Sequence, residues 1–129
     1  MDNAYISSFA CRREISFVDP DEKLDRNINK LNKISALKDN WDGYGAEHFS
    51  HSIVRDAKDM LQKLLKQPEI FPTADGTIQM EYEKENGDYL EIQFSDAPLC
   101  KVYMSENQNE NYFTINRTPE KFNELVINF

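Results

Sequence analysis

A chain of 129 residues, 40% hydrophobic and 12% aromatic, carries enough apolar material for one domain around one core. Its net charge of -8 excludes a surface built throughout for phosphate, because nucleic-acid binding draws its affinity from clustered Lys and Arg. No stretch approaches the ~20 apolar residues of a membrane span, and Arg12 and Arg13 follow the short apolar N-terminal stretch instead of preceding it as in a secretory leader, so a cytoplasmic protein is expected.

Residues 1–18 read as a flexible lead or an added strand. Asp19-Pro20-Asp21-Glu22 then supplies a capping acid, a proline at a first-turn position and further acids where a helix dipole favours them. Leu24, Ile28, Leu31, Ile34 and Leu37 recur at spacings of four and three, one stripe of an amphipathic helix that Asp39 and Asn40 end. A second helix is expected from Ser50 or Ser52 as N-cap, with Ile53, Val54, Ala57, Met60, Leu61, Leu64 and Leu65 as its apolar face and Gln67-Pro68 as its stop. The connection of about twelve residues is long for a helical hairpin and calls for a reason. It contains Asn40-Trp41-Asp42-Gly43-Tyr44-Gly45-Ala46, with the only Trp of the chain and two of its four Gly.

Past Ile70 the pattern alternates. Ile78, Met80 and Tyr82 interleave with Gln79, Glu81 and Glu83, and Leu90, Ile92 and Phe94 with Glu91 and Gln93. A two-residue turn at Asn86-Gly87 would set Tyr82 opposite Glu91 and mix apolar and acidic side chains on one face. A bulged loop Glu85-Asn86-Gly87 instead pairs Tyr82 with Leu90, Met80 with Ile92 and Ile78 with Phe94. Leu99 to Met104 and Tyr112 to Ile115 supply two more strands around a polar loop, Ser105 to Asn111. Thr118-Pro119-Glu120 opens a last helix, with Phe122, Leu125, Val126 and Phe129 at helical spacing. The expected fold is α+β: two N-terminal helices, an antiparallel meander of about four strands, and a C-terminal helix packed on one sheet face, all in one domain.

Charge divides the chain. Pro20 to Lys66 holds eight acids against nine bases, whereas Ala74 to Asn111 holds nine acids and only Lys84 and Lys101. In the bulged register Glu81 faces Glu91, an arrangement that costs some tenths of a kcal/mol unless a cation such as Lys101 lies nearby. With Lys101 as relief the face is merely solvated; without it, Glu81, Glu83, Asp88 and Glu91 form an electronegative patch suited to a basic protein partner.

Chemical candidates are few. Asp39, Asp42, Glu47, His48 and His51 combine metal-ligating types within thirteen residues, but their spacing matches neither HExxH nor a zinc pattern, and the same residues serve as turn caps and solvated groups beside a helix start. Cys11 and Cys100 are far apart, without CxxC spacing, and read as ordinary thiols. No GxSxG, P-loop or GxGxxG motif occurs, and nothing calls for a cofactor. In the loop, Trp41 and Tyr44 are expected to pin the chain onto the helices while Gly43 and Gly45 shape the turns; alternatively Trp41, Asp42 and Tyr44 form a recognition surface.

With Leu37 to Ala46, a following Ser and helix, then Phe71-Pro72-Thr73-Ala74-Asp75-Gly76-Thr77-Ile78-Gln79-Met80-Glu81-Tyr82 and Leu90-Glu91-Ile92, the chain resembles a family of small bacterial and phage-associated proteins. Members share an N-W-D-x-Y-G-A loop and a P-T-x-D-G-x-I-x-hydrophobic-E-aromatic strand, often with Trp at the position of Tyr82. The resemblance spans roughly Leu31 to Phe94. It implies a prokaryotic or phage origin and a helical hairpin before a sheet, and it supplies no catalytic residues. The combined expectation is a small acidic interaction protein, an inhibitor or a component of a toxin-antitoxin or phage-host conflict system, that binds no nucleic acid or membrane directly. Its alternatives are a metal-assisted enzyme using Asp39, Asp42, His48 and His51, and a structural subunit of a homo-oligomer.

Overall fold

The computed structural model describes residues 19–129, and the expectations for residues 1–18, Cys11 among them, lie outside the described residues. Helix α1 (Pro20–Ser35) starts at the signal read above: the Asp19 carboxylate accepts from the Asp21 N–H at 2.9 Å, with Asp21 and Glu22 in the first turn. It stops at Ser35, so Leu37 packs against the core from beyond the helix end. Ser50 caps helix α2 (His51–Lys63), its hydroxyl accepting from the Ile53 N–H at 3.2 Å. Leu64 leaves helical geometry at ψ 133°, and Leu65, expected on the apolar face, is 73% exposed.

Strands β1 (Glu69–Pro72), β2 (Ile78–Glu83), β3 (Tyr89–Phe94), β4 (Leu99–Glu106) and β5 (Asn109–Asn116) form one antiparallel sheet in chain order. Among the described residues the meander thus has five strands instead of four. The unexpected one, β1, is four residues long, follows Pro68 and ends on Pro72, and it occupies a sheet edge, where a missing proline N–H costs the ladder little. Between β2 and β3 the register is the one that parity demands, Tyr82 with Leu90, Met80 with Ile92 and Ile78 with Phe94, closed by a Lys84 N–H bond to the Asp88 carbonyl at 2.9 Å.

The β4–β5 connection corrects the sequence reading. Ser105 to Asn111 is not a loop: both strands run through it, leaving only Asn107 (φ 50°) and Gln108 (φ 68°) in the turn. Positive φ at both central residues marks a type I′ turn, which sequences usually announce with glycine. A tertiary bond compensates here, from the Asn107 N–H to Asp88 Oδ1 at 3.0 Å.

Alternation sets the layers. Ile70, Ile78, Met80, Leu90, Ile92 and Phe94 turn inward and join Leu31 and Ile34 of α1, Ile53 and Leu61 of α2, and Phe122 and Phe129 at the C-terminal end in one cluster. Each fully buried Leu, Ile or Phe contributes about 1.5–3 kcal/mol relative to exposure. Thr118 caps helix α3 (Pro119–Asn128), which sets Phe122 edge-on to Phe94 with centroids 6.3 Å apart. The C-terminal helix therefore lies on the sheet face that α1 and α2 also cover. Asn27, buried on α1, donates to the Pro68 carbonyl at 3.0 Å and to Gln67 Oε1 at 3.1 Å, and Gln67 donates to the Leu61 carbonyl at 2.6 Å. These bonds tie α1 to the end of α2 and the start of β1. Cys100 is wholly buried, and burial pushes its thiol up in pKa.

Candidate functional site

The Asn40 to Ala46 loop is closed by its own side chains. Asp42 Oδ1 accepts from the N–H groups of Tyr44 (2.8 Å) and Ala46 (3.0 Å), and Asn40 Oδ1 accepts from Gly45 N–H (2.7 Å). Those bonds require left-handed backbone at Asn40 (φ 64°), Gly43 (φ 79°) and Gly45 (φ 87°). The Trp41 indole N–H donates to the Glu47 carbonyl at 3.0 Å while its ring packs 6.3 Å from that of Phe49, so Trp41 anchors the loop. Tyr44 does not: it is 93% exposed, against the expectation that both aromatics pin the chain. The Tyr44 N–H, with that of Ala46, holds the Asp42 carboxyl below its ordinary range.

The length of this connection has its reason in the β1–β2 turn. Glu47 N–H donates to the Ala74 carbonyl at 2.9 Å, and a Cβ added at Gly76 would meet the His48 carbonyl oxygen at 3.2 Å. The N-W-D-G-Y-G-A loop and the P-T-A-D-G-T turn, separate in sequence, therefore touch. Inside the turn Asp75 accepts from the hydroxyls of Thr73 and Thr77, and Gln93 Nε2 donates to Asp75 Oδ2 at 3.2 Å. The Thr73 hydroxyl is the first cause of a lowered Asp75 pKa.

Of the proposed metal ligands, the fold joins two. Asp39 Oδ1 accepts from the His48 N–H at 3.0 Å and lies 2.8 Å from His48 Nδ1, and this hydrogen bond from the ring is the main reason the Asp39 pKa is lowered. The pair borders an open hollow of about 570 Å³ shared with Asn40, Gly45, Ala46 and Glu47. Asp42 is occupied with backbone N–H groups, and His51 begins α2. Among the described residues no three His, Cys, Asp or Glu side chains converge as a metal site requires.

The outer sheet face is organised differently. Cross-strand pairing sets Glu69, Glu81, Glu91, Tyr103 and Tyr112 in one row. Lys101, expected to relieve Glu81 and Glu91, stands opposite Gln93 instead and has no ion pair among the described residues. Relief comes from neutral donors, Gln79 Nε2 to Glu81 at 2.6 Å and the Tyr89 hydroxyl to Glu91 at 2.8 Å. Glu69 meets Lys30 Nζ at 3.2 Å. Tyr89, Tyr103 and Tyr112 form an aromatic ladder, with ring centroids 6.0 and 4.9 Å apart. Burial, then the Glu91 bond, raises the Tyr89 phenol pKa; the bond to Glu110 does so at Tyr103.

Glu83 stands exposed opposite Tyr89, beside the row. Asp88 Oδ1 accepts from Asn107 N–H and Oδ2 from Asn86 Nδ2, so this carboxylate locks two turns. The tyrosines were missed from sequence, although the parity that places Glu91 outward also places Tyr89 outward on the same strand. No family model matches the chain, and no curated protein or solved structure is significantly similar to it.

Proposed function

We propose that the protein is a small acidic interaction module that holds a basic surface of another protein against the outer face of its sheet. The observation that carries this reading is the pair Glu81 and Glu91, which stand directly opposite without a lysine between them, whereas Glu69 in the same row is met by Lys30. Like charges so placed cost a few tenths of a kcal/mol, and a partner's Lys or Arg turns that cost into attraction. The adjoining tyrosines add rigid amphipathic area of the kind that anchors interfaces. Glu83 extends the acidic row, and the exposed Tyr44 is the member of the loop set that remains open to a partner. The family resemblance supports a prokaryotic or phage setting, in which an inhibitor or a toxin-antitoxin component would use an acidic face against a basic one.

The test is capture from the native host with wild-type protein, Glu81→Lys/Glu91→Lys and Trp41→Ala. A basic partner held by the wild type, released by added salt and lost in the charge-reversed variant is expected. A partner that the charge-reversed variant retains at wild-type level would remove the sheet face from consideration.

A metal-assisted enzyme is the second reading, favoured by the Asp39–His48 pair beside its hollow. Stoichiometric zinc or manganese in tag-free protein, lost in His48→Ala, would support it.

A further inference from the structure

Among the described residues strand β5 closes the sheet on one side and is exposed along nearly its whole length, with Tyr112 at 75% and Phe113 at 37% exposure. Its hydrogen-bonding polarity follows from the turn before it. In a two-residue hairpin the flanking residues, Glu106 and Asn109, exchange both backbone bonds, and bonded and non-bonded positions then alternate. Asn111, Phe113 and Ile115 thus bond back to β4, and the Arg117 N–H bond to the Pro98 carbonyl at 2.9 Å keeps the same parity. The N–H and C=O groups of Glu110, Tyr112 and Thr114 point away from the sheet.

Among the described residues this edge has none of the usual guards. It contains no proline, lysine or bulge, it pairs residue for residue with β4, and its one charged residue is Glu110. The opposite edge, β1, is four residues long and ends on proline.

We infer that β5 pairs with β5 of a second copy about a twofold axis through Tyr112, joining two five-stranded sheets into one. The chemistry of the strand selects this occupant and register. An antiparallel edge is complementary to itself under twofold rotation, so Tyr112 exchanges both backbone bonds with its twin and Glu110 with Thr114 of the second copy. The single charge then faces a hydroxyl. Among axes that pass through an outward-bonding residue, one centred on Glu110 would oppose two carboxylates, and one centred on Thr114 would set Tyr112 against Asn116. Centring on Tyr112 also continues the Tyr89–Tyr103–Tyr112 ladder across the axis. The short, proline-terminated β1 keeps the assembly closed at two copies. This dimer shares Tyr112 with the acidic-face reading but does not rest on it, since it uses the edge of the sheet and leaves Glu81 and Glu91 outside the contact.

Strand-edge contact alone is smaller than the roughly 800 Å² per partner of a standard interface, so a reversible dimer is expected, filling between about 10 µM and 1 mM. Sedimentation equilibrium across that range should show it, strengthened by salt because two chains of charge -8 repel. Thr114→Pro removes an outward N–H without touching the β4 ladder, and Tyr112→Lys opposes two cations at the axis; each should shift dimerisation at least tenfold while circular dichroism stays native. In a Cys11→Ser background, Tyr112→Cys should form an inter-chain disulfide on mild oxidation, since paired Cα atoms about 5.5 Å apart lie within disulfide reach. Phe113→Cys, offset along the strand from its twin, should not. A monomer throughout, which would leave the edge to a foreign strand, overturns the inference. So does a dimer indifferent to both substitutions, or one that cross-links at 113 and not at 112.

Discussion

The loop end and the outer sheet face both carry carboxylates, and they use them in opposite ways. At the loop end Asp39, Asp42 and Asp75 accept from nearby backbone N–H groups, hydroxyls and an imidazole, and all three titrate below their ordinary range. On the sheet, Glu81 and Glu91 are aligned by strand register and accept from side chains of the same surface, Gln79 and Tyr89. Acid in the loop is consumed by the fold; acid on the sheet is presented by it. A cluster of acidic residues therefore says little about binding until the donors to each oxygen are known.

The largest effect should come from the loop's anchor. Trp41→Ala removes a half-buried ring from Phe49 and a bond to the Glu47 carbonyl, and a loss of about 2–3 kcal/mol in urea unfolding is expected. Gly76→Ala comes next, at about 1–2 kcal/mol, because a left-handed φ of 79° is combined with a Cβ contact to His48. Gly87→Ala, at φ 93° in open space, isolates the conformational part at about 1 kcal/mol, so the difference between the two reports how firmly loop and turn are docked.

Solution pH should separate the two regions by sign. The lowered pKa values at Asp39, Asp42 and Asp75 give stability that is present above 3.8 and lost as pH falls through their still lower folded values. Fluorescence of Trp41, the chain's only tryptophan, should shift to the red in that acid window. Raised tyrosine pKa values act the other way: the contribution of Tyr89 and Tyr103 is intact below 10 and is lost as pH climbs through their folded values. Ultraviolet titration of phenolate should find both tyrosines ionising above the ordinary tyrosine value of 10.

How much of this was legible in the sequence depended on whether the signal was local. Helix starts at Asp19, Ser50 and Thr118 were readable because the cap is chemistry within one turn. The β2–β3 register was readable because period-two alternation forbids every turn of the wrong parity. Strand β1 was hidden by its flanking prolines, which are tolerated because it is an edge. The Asn107-Gln108 turn was hidden because Asp88, nineteen residues away, supports it in place of glycine. Of the candidate site, the loop's turn chemistry was readable, whereas its docking onto Ala74 and Gly76, the exposure of Tyr44 and the displacement of Lys101 from Glu91 are tertiary facts.

The division of labour between the two acidic regions is tested most directly by urea unfolding at pH 7 of two near-isosteric variants, Glu81→Gln and Asp75→Asn. Glu81→Gln should leave stability unchanged or raise it by about 0.5 kcal/mol, because it relieves a like-charge pair, while Asp75→Asn should lower it by about 1 kcal/mol, because the carboxylate is the acceptor on which the turn closes. A Glu81→Gln variant less stable than Asp75→Asn would contradict it, showing that the sheet carboxylate holds the fold together and is not held in reserve for a partner.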